Sequence, residues 1–167
     1  MIDQPRYAEW VRLSHRTARF ETFMVVAVQG LGRLDAVLTA KDDHYLGLSD
    51  KERDEFEVSL DLTDRFTESY LWVLGAYEII RSIDQRCRAD ISLVSDSTHV
   101  RSAKEYFERV RIPLAKFEPA RRFRATDSRI AYPSIDRRYG IAWQVADQTF
   151  ISRGELSERF LGLLRSL

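Results

Sequence analysis

The residue types that most often perform acid–base, metal or nucleophilic chemistry are sparse in this chain. Its 167 residues include three histidines, and none follows a glutamate at the Glu-x-x-His spacing with which helical bundles hold paired iron ions. The segment Asp42-Asp43-His44 carries side chains that can ligate a divalent cation, but a solvated acidic loop is the simpler interpretation. We therefore expect no metal site and no cofactor.

Nucleophilic and phosphate-binding chemistry lack complete motifs as well. Cys87 is the single cysteine, which excludes an internal disulfide framework. Its neighbours Arg86 and Arg88 favour a thiolate, but no histidine lies close in sequence, and a lone cysteine in an apolar helix is usually a small core residue. The two glycines at 30 and 32 lack the preceding strand and third glycine of a dinucleotide-binding loop. These observations favour a protein that is not an enzyme.

Polar side chains interrupt an unusually apolar helix predicted over residues 70–86. A helix that is apolar on nearly every side belongs inside a bundle, where charges are costly unless they are paired. The candidates for a polar network or a small-ligand pocket on this helix are Tyr77, Glu78, Arg81, Asp84 and Gln85. With no metal motif or nucleophile to join them, a structural network is the favoured interpretation and a pocket between helices is the alternative.

The charges of the chain balance overall but are unevenly distributed. Acidic and basic residues number 26 each, yet residues 40–70 hold ten acidic and four basic side chains, whereas residues 101–138 hold five acidic and eleven basic ones. The basic segment contains a cluster of candidate phosphate-binding arginines: Arg121, Arg122, Arg124, Arg129, Arg137 and Arg138. The aromatic residues among them that can stack on bases are Phe123, Tyr132 and Tyr139. The competing interpretation is that these arginines pair with the acidic segment 52–64, within one chain or between two.

The apolar pattern predicts long helices at the N-terminus. Steps of three and four residues alternate over four heptads and predict one helix over about residues 6–40. Gly30 and Gly32 lie inside it and indicate either a kink or the close approach of another backbone. The polar segment 41–47 predicts a loop.

Two further helices follow in the sequence. The second helix of the chain is predicted to start at Ser49 or Asp50, either of which can cap it, and to end at about residues 88–90. Residues 92–97 predict a linker. The third helix is predicted to start near Thr98.

In the last part of the chain, the spacing of the apolar residues changes. Pro113 is expected to kink or divide the third helix, and Pro119 to end it. After Arg124 the apolar residues alternate as in half-buried strands, and three short strands are predicted over residues 129–133, 139–145 and 149–151. Ser152 and Glu155 have the spacing of a capping box, which predicts the start of a terminal helix.

These elements predict a mainly α fold, a long antiparallel helical hairpin or bundle with a small β-meander and a terminal helix. We expect a single domain over residues 1–167, made of a helical bundle (1–118), the meander (125–152) and the C-terminal helix (153–167). Helices of 35–40 residues would extend about 50–60 Å, and part of their apolar seams would stay uncovered in a monomer. A second copy of the chain would cover these seams, so a homodimer is expected. No apolar run reaches a membrane span, and the polar N-terminus has no signal peptide, so we expect a cytoplasmic protein without a membrane partner.

Three functional hypotheses follow from the sequence. The first is a non-enzymatic interaction or regulatory protein, because the seams are long and no catalytic constellation is complete. The second is a protein that associates with RNA or DNA, or with an acidic protein partner, through the arginine-rich segment, in a defence or toxin–antitoxin setting. The third is an enzyme with a pocket around Glu78, Arg81 and Asp84.

Overall fold

The chain forms a helical bundle that carries a small sheet near its C-terminus. The computed structural model describes residues 1–94 and 96–167. Its α-helices are α1 (Gln4–Ser14), α2 (Met24–Gly47), α3 (Asp50–Arg53), α4 (Phe56–Ala89), α5 (Thr98–Lys116) and α6 (Arg153–Ser166). Its strands are β1 (Tyr132–Asp136), β2 (Gly140–Ala146) and β3 (Thr149–Ser152), and short 3₁₀ helices cover His15–Arg19 and Arg121–Phe123. The predicted fold, mainly helical with a small meander and a terminal helix, is confirmed.

The single N-terminal helix predicted over residues 6–40 is wrong. The chain breaks after α1 and folds back, so that the Asp3 amide donates to the Ala36 carbonyl of α2 at 3.0 Å. The heptad-like pattern continues across the break because both halves bury the same kind of face. Gly32 allows this packing, since a Cβ added there would lie 2.4 Å from the Trp10 Cβ. Of the two roles expected for these glycines, Gly32 has the close approach.

Helix boundaries differ from the prediction again between α2 and α4. Residues 41–47, predicted as a loop, are the last turns of α2, because Asp42 is buried and paired rather than solvated. The predicted cap at Ser49 is confirmed as a capping box with Glu52. However, it starts the short α3, and the long α4 begins only at Phe56.

The third helix is less disturbed by proline than expected. α5 continues through Pro113 as one helix to Lys116, before Pro119 is reached. Phe117 ends it with a left-handed backbone, at φ 55°. The linker predicted over residues 92–97 includes Ser95, which lies outside the described residues.

The three strands form an antiparallel sheet in the order β1-β2-β3. β1 begins at Tyr132, three residues later than predicted, whereas β2 and β3 start within one residue of the prediction. Ile141, Trp143 and Val145 of β2 are buried and form part of the hydrophobic core. The three large residues predicted to face inward are therefore buried, but the half-buried strand predicted around them is wrong, because Gly140, Ala142 and Ala146 between and beside them are buried as well.

Aromatic side chains form the centre of the core. Trp10 meets Phe160 edge to face, with ring centroids 5.2 Å apart, and Phe107 lies close to both Trp72 and Phe160. α1, α4, α5 and α6 thus share one cluster. No helix in the described part of the chain is long and apolar enough to cross a membrane.

Candidate functional site

A group of charged side chains is buried where α1, α2, α4 and α6 meet. We call Arg6, Asp35, Asp42, Arg65 and Arg153 the buried charge network. Asp35 is fully buried on α2 and accepts hydrogen bonds from Arg6 Nε at 2.5 Å, from Trp10 Nε1 at 2.8 Å and from Arg153 Nη1. Every charge that faces Asp35 thus comes from another helix.

Asp42 repeats the arrangement two turns further along α2. Its carboxylate accepts from Arg65 Nη1 at 2.9 Å and from Arg153 Nη2 at 3.1 Å. Arg153 therefore bridges the two aspartates. Removal from water raises the pKa of Asp42, and its two guanidinium partners counteract that rise. The raised pKa shows that burial outweighs the ion pairs at this position.

Arg65 is completely buried, although it is an arginine in the acidic half of α4. Its guanidinium lies 4.5 Å from the centre of the Tyr45 ring, a cation–π contact. Its Nε is 3.1 Å from Asp61 Oδ2 but is not aligned for a hydrogen bond with that oxygen. Part of the acidic charge of residues 40–70 is thus neutralised locally.

The buried charge network opens to solvent at a cleft of about 200 Å³. Its charged lining is three arginines and three carboxylates, namely Arg6, Arg138, Arg153, Asp42, Asp43 and Glu158. Arg6 Nη1 contacts Glu158 at 2.7 Å, and its Nη2 donates to Ser157 Oγ at 2.7 Å. Arg6 pairs with Glu158 and Arg153 with Asp42, whereas Arg138 and Asp43 belong to no ion pair among the described residues, and the buried Arg153 Nε has no hydrogen-bond partner there. Because most of the charge is paired within the chain, the arrangement fits a structural role better than a ligand site.

The candidate residues of the apolar helix do not form one pocket. Tyr77 donates to Glu108 at 3.0 Å and lies under the Arg111 guanidinium, 5.0 Å from its carbon. Burial and the Glu108 carboxylate raise the pKa of Tyr77 to about 12. We call Tyr77, Glu78, Arg81, Glu108 and Arg111 the Tyr77 cluster, which joins α4 to α5.

The other charges on this helix have separate partners. Arg81 Nε donates to Glu78 at 2.8 Å, and both side chains are more than a third exposed. Asp84 is buried and pairs with Arg88 and with Lys104, whose Nζ lies 3.1 Å away. Gln85 is exposed and lines a different surface groove, beside Glu21 and Arg86 on its rim. The structure thus places the five candidates in at least three environments.

The six arginines of the basic segment are all exposed. We call Arg121, Arg122, Arg124, Arg129, Arg137 and Arg138 the arginine surface. Arg122 pairs with Glu105 of α5, and Arg138 lies over the Tyr139 ring at 4.8 Å. Within the described residues, none of the six forms an ion pair with the acidic segment 40–70. Pairing of these two segments within one chain is therefore not what holds the arginines in place.

Of the three aromatic residues expected to stack on bases, only one has a ring that no other side chain covers. Phe123 is covered by Arg109, whose guanidinium carbon lies 4.4 Å from the ring centre and which also forms two hydrogen bonds to Asp127. Tyr139 packs against Gly154, where an added Cβ would lie 2.9 Å from the Tyr139 side chain. Tyr132 remains exposed on β1.

The buried charge network is the polar site that the sequence did not predict. Asp35 falls inside an apolar face of α2, one turn before Leu38, and this is the signal that identifies it as a buried carboxylate in need of partners. Cys87 is buried, and burial together with Asp84 raises its pKa, which opposes a nucleophilic role. In residues 1–94 and 96–167, no group of three or more His, Cys, Asp or Glu side chains is arranged to hold a metal ion.

Comparison with protein-family models, with curated proteins and with solved structures gives no match for this chain. Its function is therefore inferred from its own residues and their contacts.

Proposed function

We propose that this chain is a non-enzymatic interaction protein that works as a homodimer. The observation that carries this proposal is an uncharged, exposed stripe on α4. Its large members Phe56, Leu60 and Leu71 are 76%, 51% and 55% exposed, and Thr63 and Thr67 are exposed between them. At 3.6 residues per turn these five positions fall within an arc of about 80°. We call them the α4 stripe.

Carboxylates border the α4 stripe on one side. Glu57, Asp61, Asp64 and Glu68 project from α4 about 80–140° around the helix from Phe56. Lys41 pairs with Asp61 and Glu68, so that Glu57 and Asp64 are the two that form no ion pair among the described residues. Two α4 helices packed antiparallel would bring these like charges together, which is unfavourable. The arginine surface of a second copy has the opposite charge and is free of pairing with this segment. We therefore place the second copy with its arginine surface beside the α4 carboxylates, and the apolar side chains of the α4 stripe covered.

The homodimer is tested by mass in solution. Sedimentation equilibrium should give twice the chain mass at low salt and a weaker dimer at high salt, because exposed charge pairs are screened. Leu60→Lys and Leu71→Lys should dissociate the dimer without unfolding the chain, since both side chains are exposed. Val26→Lys, on an exposed residue of α2, is the matched control. A wild-type chain that stays monomeric at all accessible concentrations contradicts the proposal.

Association with nucleic acid is a second candidate, favoured by the exposure of the arginine surface. Arginines that are not neutralised by their own chain are available for phosphates, and binding of this kind weakens as salt rises. Arg124→Ala should lower the salt dependence of RNA or DNA binding by about one phosphate contact, whereas Arg33→Ala on the exposed side of α2 should not. Absence of binding at about 50 mM salt, where electrostatic attraction is strong, would exclude this candidate.

A further inference from the structure

Two exposed aromatic rings and an amide lie in one row across the sheet. In the strand register, Gln144 of β2 is opposite Tyr132 of β1 and opposite Phe150 of β3. Side chains of directly opposed residues point to the same face of a sheet. We call Tyr132, Gln144 and Phe150 the sheet row.

The sheet row is on the face that points away from the core. The neighbouring residues Trp143 and Val145 are buried on the opposite face, since side chains alternate along a strand. α2 covers the far end of the open face, because an added Cβ at Gly140 would lie 2.3 Å from Asp42. At the other end Tyr132 and Phe150 remain 51% and 47% exposed.

An arginine of the arginine surface lies beside the same end of the sheet. The Ser128 amide donates to the Val145 carbonyl at 2.8 Å, which holds the backbone of residue 128 beside β2, one residue from Gln144, and brings Arg129 to this end of the sheet. Arg129 is exposed and belongs to no ion pair among the described residues. A cation at the edge of a pair of aromatic rings is the combination by which proteins hold single strands, with stacking for the bases and charge for the phosphates.

We propose that the sheet row binds single-stranded nucleic acid, with unpaired bases stacked on Tyr132 and Phe150. The two rings are carried by strands about 10 Å apart, two interstrand spacings, so each ring serves a different base. Gln144 lies between them with an amide that both donates and accepts hydrogen bonds to base edges. A duplex keeps its bases stacked inside and cannot present them to the rings. This inference rests on the second candidate function.

The test is fluorescence anisotropy with labelled RNA and DNA single strands of about 12 nucleotides and with the corresponding duplex, at about 50 mM salt. Single strands should bind tighter than the duplex. Tyr132→Ala and Phe150→Ala should each weaken single-strand binding about 5- to 100-fold. Tyr132→Phe should retain most of it, because the ring is kept. Phe23→Ala, at an 80% exposed aromatic residue on α2's N-cap, is the matched control and should change nothing.

The outcomes separate this inference from the function on which it rests. If single strands bind and Arg124→Ala weakens them but the sheet-row variants do not, the sheet row is not the site and the second candidate function stands. Equal binding of the duplex, or an equal loss in Phe23→Ala, also overturns the inference. If none of the three probes binds, nucleic-acid association fails altogether. Tighter binding of RNA than DNA supports the site with 2′-hydroxyl contacts, and equal binding supports it through bases and phosphates alone.

Discussion

The buried charge network and the Tyr77 cluster use the same kinds of side chain in opposite ways. In the network, Asp35 and Asp42 are held by arginines from other helices, and four of its five side chains are almost fully buried. In the Tyr77 cluster, Glu78 and Arg81 are 46% and 40% exposed and belong to the same helix. On the apolar helix, the Glu78–Arg81 pair thus faces solvent, whereas Asp84, three residues further on, is buried and depends on Arg88 and Lys104. A spacing of three residues does not by itself distinguish an exposed charge from a buried one. The two regions should therefore differ in how much stability the chain loses when one charged partner is removed.

Asp35→Asn should have the largest effect on stability. The substitution keeps the side-chain volume but leaves Arg6 and Arg153 facing a neutral group in a buried site, which costs about 3–5 kcal/mol. Urea unfolding of the purified protein measures this loss. Asp43→Asn, at an exposed position of the same helix, should stay within about 0.5 kcal/mol of wild type. Equal effects of the two substitutions would show that burial does not distinguish the network.

Gly32→Ala tests the helix packing that delivers Trp10 to Asp35. The new methyl group would overlap the Trp10 side chain, and overpacking of this kind costs about 1–3 kcal/mol. Gly30→Ala is the matched control, because nothing lies within 4 Å of its added Cβ. A glycine in mid-helix costs about 0.5–1 kcal/mol relative to alanine, so Gly30→Ala should raise the melting temperature while Gly32→Ala lowers it. A rise in both variants would contradict the close approach of α1 and α2.

Tyr77 should show its burial in alkaline solution. Its pKa of about 12 in the folded chain exceeds the ordinary value of 10, so the folded state keeps a proton that the unfolded state loses. This contribution to stability is complete below pH 10 and declines as the pH rises towards 12. Tyr77→Phe should cost about 1 kcal/mol at neutral pH through the lost hydrogen bond to Glu108 and should remove that part of the decline. Ultraviolet titration of both proteins measures the phenolate, and a tyrosine that ionises at pH 10 would contradict the burial.

Arg81→Ala should have the smallest effect. The Arg81–Glu78 contact is an exposed pair on one helix, a class worth about 0.3–0.5 kcal/mol. Thermal unfolding at low and high salt measures it, and the small loss should vanish at high salt. A loss of more than about 2 kcal/mol would place this pair in the same class as the buried charge network.

Local features of the fold were predictable, and distant partnerships were not. The capping box of Ser152 and Glu155 depends on neighbours in sequence and is confirmed, and the inward residues Ile141, Trp143 and Val145 are buried as predicted. The burial of β2 on its other face depends on contact with α2, which the sequence does not show. The break after α1 escaped prediction because its two halves continue one apolar pattern. The continuation of α2 past residue 40 escaped it because Asp42 has the polarity of a loop residue.

The polar contacts divide in the same way between pairs that are close in sequence and pairs that are far apart. Arg81 and Glu78 are three residues apart, and both are among the candidates that the sequence indicates for a polar network, while Arg153 and Asp35 are separated by 118 positions. No local spacing relates two such residues. The arginine surface was identified from composition alone, but whether it faces the acidic segment depends on tertiary structure.

The position of Arg153 has a consequence for how the chain folds as it is synthesised. Its contacts to α2, and those of Arg6 to Ser157 and Glu158 of α6, join the two ends of the described sequence. Contacts of such large sequence separation form late and slow folding, because a long loop must close first. Until residues 153–158 leave the ribosome, Asp35 and Asp42 lack the cation that bridges them. We expect the N-terminal helices to remain incompletely packed during translation and to become protease-resistant only when α6 docks.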